Sequence, residues 1–328
     1  VKIALLTLDF PPDFIGGVSA WTKDMATALH RAGHTVTVYA KYTGDTRTHD
    51  TALPFTVQRV RGRSWARWGG WWMRWALLGK MNHYDHVICA TWPLAAHLPA
   101  IPRLAVAVHG SEITCLEDAP PSLKALAQTA YAWFPVSKFL ASELERLVPA
   151  CQRVTPLPMP LETDAGIAPE RGEHLVCVAR DSERKGIDRA INIAAATGRP
   201  ITLIGRSTQP PNGMAHGEIS RAETMALIRS ARALILTPRT NSAGLGAEGL
   251  GLCMLEAASV GVPSIGCDTG GVREALGPGL LLVDPDQPDG GVINAWLDDE
   301  AQGMRAQAWL KTHHGPDLAV STLMRGLL

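Results

Sequence analysis

In the stretch AEGLGLCMLEAASVGVP (247–263), Glu248 and Glu256 are separated by seven residues, with Gly249, Leu250, Gly251 and Leu252 between them. The apolar run predicts a helix over 252–260, ended by Gly261 and by Pro263 beyond it. Glycines bring bare backbone to the mouth of that helix. First-turn N–H groups, together with the helix dipole, attract phosphate. Glu256 falls one turn in, on the side of Leu252, among apolar neighbours. A carboxylate there needs a partner or a ligand, and the paired hydroxyls of a ribose would suit it. Glu248, ahead of the helix, would reach past the phosphates toward a sugar. Two glutamates held by buried arginines are the plainer alternative, which the spacing and the glycines disfavour.

Three further stretches carry polar residues at the ends of apolar runs. In CVARDSERKGIDRA (177–190), Arg180 follows a strand and Lys185 opens the next helix. A guanidinium fork and an ammonium together suit a diphosphate leaving group. In FPPDFIGGVSAW (10–21), Gly16 and Gly17 precede a helix and let backbone approach a ligand; a plain turn is an equal reading. In VAVHGSE (106–112), His109 ends an apolar strand. A lone histidine is more often structural, but a strand's carboxyl edge is where such sheets bind ligands.

Positioning these residues requires parallel sheets. Strands are predicted at 2–8, 35–40, 86–90, 104–110 and 134–137, then at 175–179, 200–205, 233–238, 262–267 and 280–283. Helices are predicted at 17–32, 65–79, 122–130 and 138–147, and again from about Asp298. Near-continuous apolar strands alternating with helices indicate parallel sheets covered on both faces. The proline- and charge-rich stretch 155–173 reads as a linker. The expected organisation is α/β: a Rossmann-like domain over 1–160, a second over 161–312, and a helix over 313–328 returning to the first. A central cleft between the two sheets' carboxyl ends would hold the ligand.

The 328 residues suffice for two cores, with 46% hydrophobic. Lysine plus arginine balance aspartate plus glutamate at 31 each, which argues against nucleic acid as a partner. The six cysteines form no CxxC pair, so reduced buried thiols are expected rather than zinc. Neither a signal peptide nor a membrane span is read from the sequence. The expected setting is cytoplasmic, with peripheral contact at the inner face of the membrane left open.

Taken in order along the chain, FPP-GG, the HG after the fourth strand, RDSERKG and EGLGLCMLEA resemble the family-4 retaining glycosyltransferases. The stretch from PRTNSAGLGAEGLG to LEAASVGVPSIG is similar to the phosphatidylinositol mannosyltransferase branch. The resemblance implies a GT-B fold, a UDP- or GDP-linked sugar donor, retention and no metal. It implies that Arg180 and Lys185 hold the diphosphate, Glu256 the ribose and Glu248 the transferred sugar. His109 would sit near the reacting centre and Gly17 near phosphate or acceptor. Ile219, Gly249, Leu250, Gly251 and Leu252 complete the expected donor contacts. The acceptor is left open among glycans, lipid-linked and small molecules. Departures fall on the acceptor side, where PLPMP (156–160) replaces the family's asparagine-glycine stretch.

Rival readings remain. GLGAEG (244–249) matches GxGxxG, which would suit a nicotinamide oxidoreductase. It lies far from its strand, and Glu248 would face the pyrophosphate. A sugar-nucleotide epimerase of the same shape is a nearer rival. DPD (284–286) matches a metal-binding DxD, though a proline turn explains it. Finally, RGRSWARWGGWWMRWALLGK (61–80) holds Trp65, Trp68, Trp71, Trp72 and Trp75. Helical spacing puts Trp65, Trp68, Trp72 and Trp75 on one stripe. It is either a core helix with a tryptophan-lined buried face or a basic aromatic surface for a membrane or an acceptor.

Overall fold

The computed structural model describes all residues except 13–15, 63–64, 164–170 and 241–245, and leaves out the side chains of 65–69. The chain forms two units, Val1–Pro160 with Pro316–Leu328, and Leu161–Gly315.

The first unit runs β1 (Lys2–Leu6), α1 (Gly17–Arg31), β2 (Thr35–Lys41), α2 (Arg47–Thr51), β3 (Thr56–Val60), α3 (Trp65–Leu77) and β4 (His86–Cys89). There follow α4 (Trp92–Ala95), β5 (Leu104–Val108), α5 (Ser111–Thr114), α6 (Pro121–Thr129), β6 (Ala132–Pro135) and α7 (Lys138–Leu147). The strands pair in parallel in the order β3-β2-β1-β4-β5-β6. Every residue of β4, β5 and β6 is buried, so these strands read as unbroken apolar runs. Trp21, Met25 and Leu29 bury one stripe of α1.

The second unit runs β7 (Leu175–Val178), α8 (Ile187–Thr197), β8 (Ile201–Ile204), β9 (Gly213–His216), α9 (Arg221–Ser230) and β10 (Ala233–Leu236). It continues with α10 (Leu252–Ser259), β11 (Ser264–Gly266), α11 (Val272–Leu276), β12 (Leu280–Leu282), α12 (Gly290–Asp298) and α13 (Ala301–His313). Its parallel order, β12-β11-β10-β7-β8-β9, repeats the first topology. Each sheet therefore has a switch point, between β1 and β4 and between β7 and β10, where connections leave in opposite directions. Ligands bind outside the carboxyl ends of strands at such points. The last helix, α14 (Pro316–Leu327), belongs to the first unit. It buries Ala319, Val320, Leu323 and Leu327 and packs on α1 and β6.

The ten predicted strands fall on β1, β2, β4 to β8 and β10 to β12. The two unforeseen strands, β3 and β9, are both sheet edges. β3 alternates exposed and covered residues, and β9 is short and mostly open, so neither shows an apolar run. The predicted linker begins later than its composition suggests. Leu157 and Met159 are buried, and the Leu157 N–H donates to the Pro135 carbonyl. Of the tryptophan stripe, Trp75 departs from a buried core face. Among the described side chains, the residues of α3 fully buried in the core are Met73 and Leu77, while Trp71 and Trp75 are exposed. Trp72 packs partly buried against that core, and the side chains of Trp65 and Trp68 lie outside the described residues. Gly70 has a packing reason, since a Cβ there would meet the His97 ring at 2.5 Å.

Candidate active site

At the second unit's switch point, β7 is followed by buried Ala179 and then exposed Arg180. A single turn, Glu183–Lys185, leads to Gly186, which starts α8 in the left-handed region at φ +59. A Cβ on Gly186 would lie 2.0 Å from the Thr237 carbonyl oxygen, so only glycine admits this approach of α8 to the end of β10. The Thr237 hydroxyl donates to the Gly186 carbonyl at 3.1 Å, and the Arg239 N–H to the Arg184 carbonyl at 2.8 Å. Arg239 Nη1 also donates to Asp188 at 2.7 Å. The loop bearing Lys185 is thereby fastened to the loop that follows β10.

The glutamate loop enters from the other side. Gly251, at φ +92, turns the chain into α10 against Leu236. Gly270 and Gly271 support the loop from below, and the Gly271 N–H donates to the Glu248 carbonyl at 2.9 Å. A Cβ on Gly271 would meet the Gly249 carbonyl at 2.0 Å. Lys185 Nζ reaches Glu248 Oε2 at 2.6 Å, with both side chains largely covered. Glu256 faces Arg221 Nη2 at 3.1 Å. Arg221 opens α9, where Ser220 and Glu223 cap each other's backbone N–H, and Ile219 lies just before them. Cys253, on the first turn of α10, feels Lys185, Glu248 and Glu256 together, and burial pushes its thiol upward.

At the first unit's switch point, Gly16 (φ +108) precedes Gly17, the first residue of α1. Phe10 and Pro11, after β1, are tied down by Arg59, which donates to their carbonyls and is fixed by Asp50 at 2.8 Å. His109 follows β5. Trp21 meets its ring edge-on, with centroids 4.8 Å apart, and its backbone N–H donates to Glu112. Burial lowers the imidazole's pKa, with Glu112 and a bond to the Ala90 backbone opposing. The ring is therefore neutral near pH 7. Its Nε2 is buried without a hydrogen-bond partner among the described residues.

Lys185, Glu248, Gly249, Gly251, Leu252 and Glu256 thus come together around one helix mouth. Arg180 sits on the neighbouring strand end, Leu250 is buried in the loop and Ile219 is two residues from the arginine that holds Glu256. Gly17 and His109 are gathered separately, in the first unit. Sequence reasoning missed Arg221, Arg59 and the Gly270–Gly271 support. The adjacent glycines after Asp268 were the available signal for the last. DPD is used locally, with Asp286 paired to Arg189 at 2.6 Å and Asp284 accepting from the Asp286 N–H. Among the described residues, no cluster of three or more His, Cys, Asp or Glu side chains could hold a metal. No described helix is long and apolar enough to cross a membrane.

The family model described as Glycosyltransferase Family 4 matches residues 15–164, and that described as Glycosyl transferases group 1 matches residues 209–308. The chain belongs to the family-4 glycosyltransferases. This glycosyltransferase has the GT-B fold of two Rossmann-like units and uses a nucleotide-sugar donor. It is 23% identical over 320 residues to a GDP-mannose-dependent alpha-(1-6)-phosphatidylinositol monomannoside mannosyltransferase of Mycobacterium tuberculosis, covering 84% of this chain and 82% of the relative. Among solved structures it is similar in fold to HepE of Anabaena in complex with UDP and glucose, at TM-score 0.73 and 15% identity, with 99% of each chain covered. AviGT4, a glycosyltransferase involved in avilamycin A biosynthesis, matches at TM-score 0.73 and 18% identity, covering 99% of this chain and 98% of that one. Family membership selects glycosyl transfer over the epimerase and oxidoreductase readings.

Proposed function

We propose that this glycosyltransferase moves a hexose, mannose before glucose, from a GDP- or UDP-linked donor to an acceptor hydroxyl, with retention and without a metal. The observation that carries the reading is the convergence of Lys185, Glu248 and Glu256 on the mouth of α10, with Arg180 alongside. On this reading the donor diphosphate lies across the first turn of α10. Arg180, Lys185 and backbone amides there take up negative charge as the bond from the anomeric carbon to the phosphate oxygen breaks. Glu256 accepts from the ribose hydroxyls and Glu248 from the transferred sugar. Neutral His109 belongs near the reacting carbon. The acceptor oxygen bonds to that carbon on the face the diphosphate leaves, and its proton passes to the departing phosphate.

The relative's dependence on GDP-mannose supports GDP-mannose as donor, and the UDP held by HepE makes a UDP-sugar the second candidate. The relative's acceptor supports a lipid-linked one. Calorimetric titration with GDP, UDP and ADP identifies the base. Arg180→Ala and Lys185→Ala should each weaken diphosphate binding roughly 10- to 150-fold, the worth of one charge-assisted bond, and leave free nucleoside binding alone. Equal diphosphate affinity in parent and variants removes both side chains from the donor site. Transfer that stops in chelator and returns with a divalent cation overturns the metal-free part.

A further inference from the structure

None of the residues assigned to the donor lies on α3, in the first unit. Trp71, Trp75 and Leu78 are exposed by 45%, 57% and 57% at i, i+4, i+7 spacing, so they form one apolar stripe on the helix and its C-terminal turn. The rings of Trp71 and Trp75 pack edge-on, 5.8 Å apart between centroids. Beside the stripe opens a pocket of about 390 Å³, between α3 and the edge strand β3. Trp72, Trp75, Arg61, Lys80 and Gln58 are among its walls. Arg61 stacks over Tyr42, with 4.6 Å to the ring centroid, which aims a delocalised cation along this edge.

The charge of the surrounding chain chooses the partner. Between Asp50 and Asp85 there is no acidic residue, whereas five arginines and one lysine fall there. Arg59 is taken up by Asp50, but Arg61, Arg74 and Lys80 are exposed, in a chain that is neutral by count. A second copy of the same face would bring like charges together. A nucleic acid would answer the charge but gives the aliphatic Leu78 no place. An anionic bilayer leaflet answers both, because indole rings and leucine enter the interface while arginine and lysine meet headgroup phosphates. Since no described helix can span a membrane, such contact is interfacial.

We infer that the α3 face of the first unit binds anionic phospholipid membranes, with Trp71, Trp75 and Leu78 entering the interface and Arg61, Arg74 and Lys80 holding headgroup phosphates. This surface is independent of the transfer reading, and nucleoside diphosphate binding serves as its internal control. The test is co-sedimentation of the full chain with vesicles of phosphatidylcholine alone and of phosphatidylcholine with 30% phosphatidylglycerol. The expected result is binding to the anionic vesicles only, weakened at least tenfold between 50 and 300 mM salt. Trp71→Ala with Trp75→Ala, and separately Arg61→Gln with Lys80→Gln, should each weaken it about tenfold, with unchanged thermal unfolding and unchanged nucleoside diphosphate affinity. Equal binding to neutral vesicles, absence of binding at 50 mM salt, or parental vesicle binding by both variants overturns the proposal. So does a single-stranded oligonucleotide that competes for the same residues at lower concentration than the vesicles. If the tryptophan pair unfolds the protein, the charge pair, which leaves the helix packing alone, decides.

Discussion

At the residue scale, the two glutamates differ in what holds them, and that difference separates their expected effects. Glu248 is held by a lysine on another loop, Glu256 by an arginine on another helix. A diphosphate that recruits Lys185 must draw it from Glu248, so the ion pair opposes binding until the donor arrives. Glu248→Gln should therefore bind nucleoside diphosphate at least as well as the parent while losing most transfer. Glu256→Ala should instead weaken binding of the ribonucleotide and narrow its preference over the 2′,3′-dideoxy form. Titration of both nucleotides against both variants checks this, and the reverse pattern exchanges the two roles. The carboxylates and their spacing were legible in the sequence. Their partners were not, because Lys185 and Arg221 lie 63 and 35 positions from them in the chain and only the folded sheet joins them. Asp50 is different: its partners Thr46, His49 and Arg59 are near in the chain, but no motif or apolar run marks the cluster. Burial pushes its pKa up, but bonds from Arg59, His49 and Thr46 outweigh this and hold it at about 2. The folded value lies below the ordinary 3.8, so the contribution is present above about pH 4 and lost as pH falls toward 2. Between those limits the parent should lose about 2 kcal/mol of stability that Asp50→Asn does not, as read from denaturant unfolding at each pH.

At the scale of elements, glycines set how near one loop may come to another. Gly186 combines a left-handed backbone with a carbonyl oxygen where its Cβ would be. Gly186→Ala should cost roughly 2–4 kcal/mol of the second unit's stability through overpacking and strain, visible as a lower thermal midpoint. Gly271→Ala is the sharper probe of the site, since it pushes on the Gly249 carbonyl and so on the loop bearing Glu248. Its diphosphate affinity should fall even where folding survives, and unchanged affinity would detach that loop from the donor. Buried central strands were readable from their apolar runs. Edge strands β3 and β9 were not, because half-open strands carry no such run. Helix α3 misled in its facing. A stripe of tryptophans suggests a core face, yet among the described side chains Met73 and Leu77 are buried there, Trp72 is partly covered and Trp75 lies outside.

At the scale of the whole molecule, the same six-stranded topology appears twice, and the residues with chemistry gather at each sheet's switch point. The first unit is not continuous in the chain, because α14 completes it. Gly326 lies so close to Phe134 that a Cβ there would be 2.6 Å from the ring, and the Tyr131 hydroxyl donates to the Leu328 carbonyl at 3.3 Å. Removing residues 316–328 should therefore destabilise the first unit and leave the second intact. Hydrogen exchange should show protection lost in α1 and β6 but kept in β7 and β10; loss in the second unit instead would refute this. The arrangement also sets an order of events during synthesis. A ribosome delivers residues 161–315 before the helix that covers α1 and β6 emerges. At the usual pace of translation that interval is roughly ten to thirty seconds. Through that interval the nascent first unit shows bare apolar surface, a natural stop for a chaperone, while the second unit is still being made.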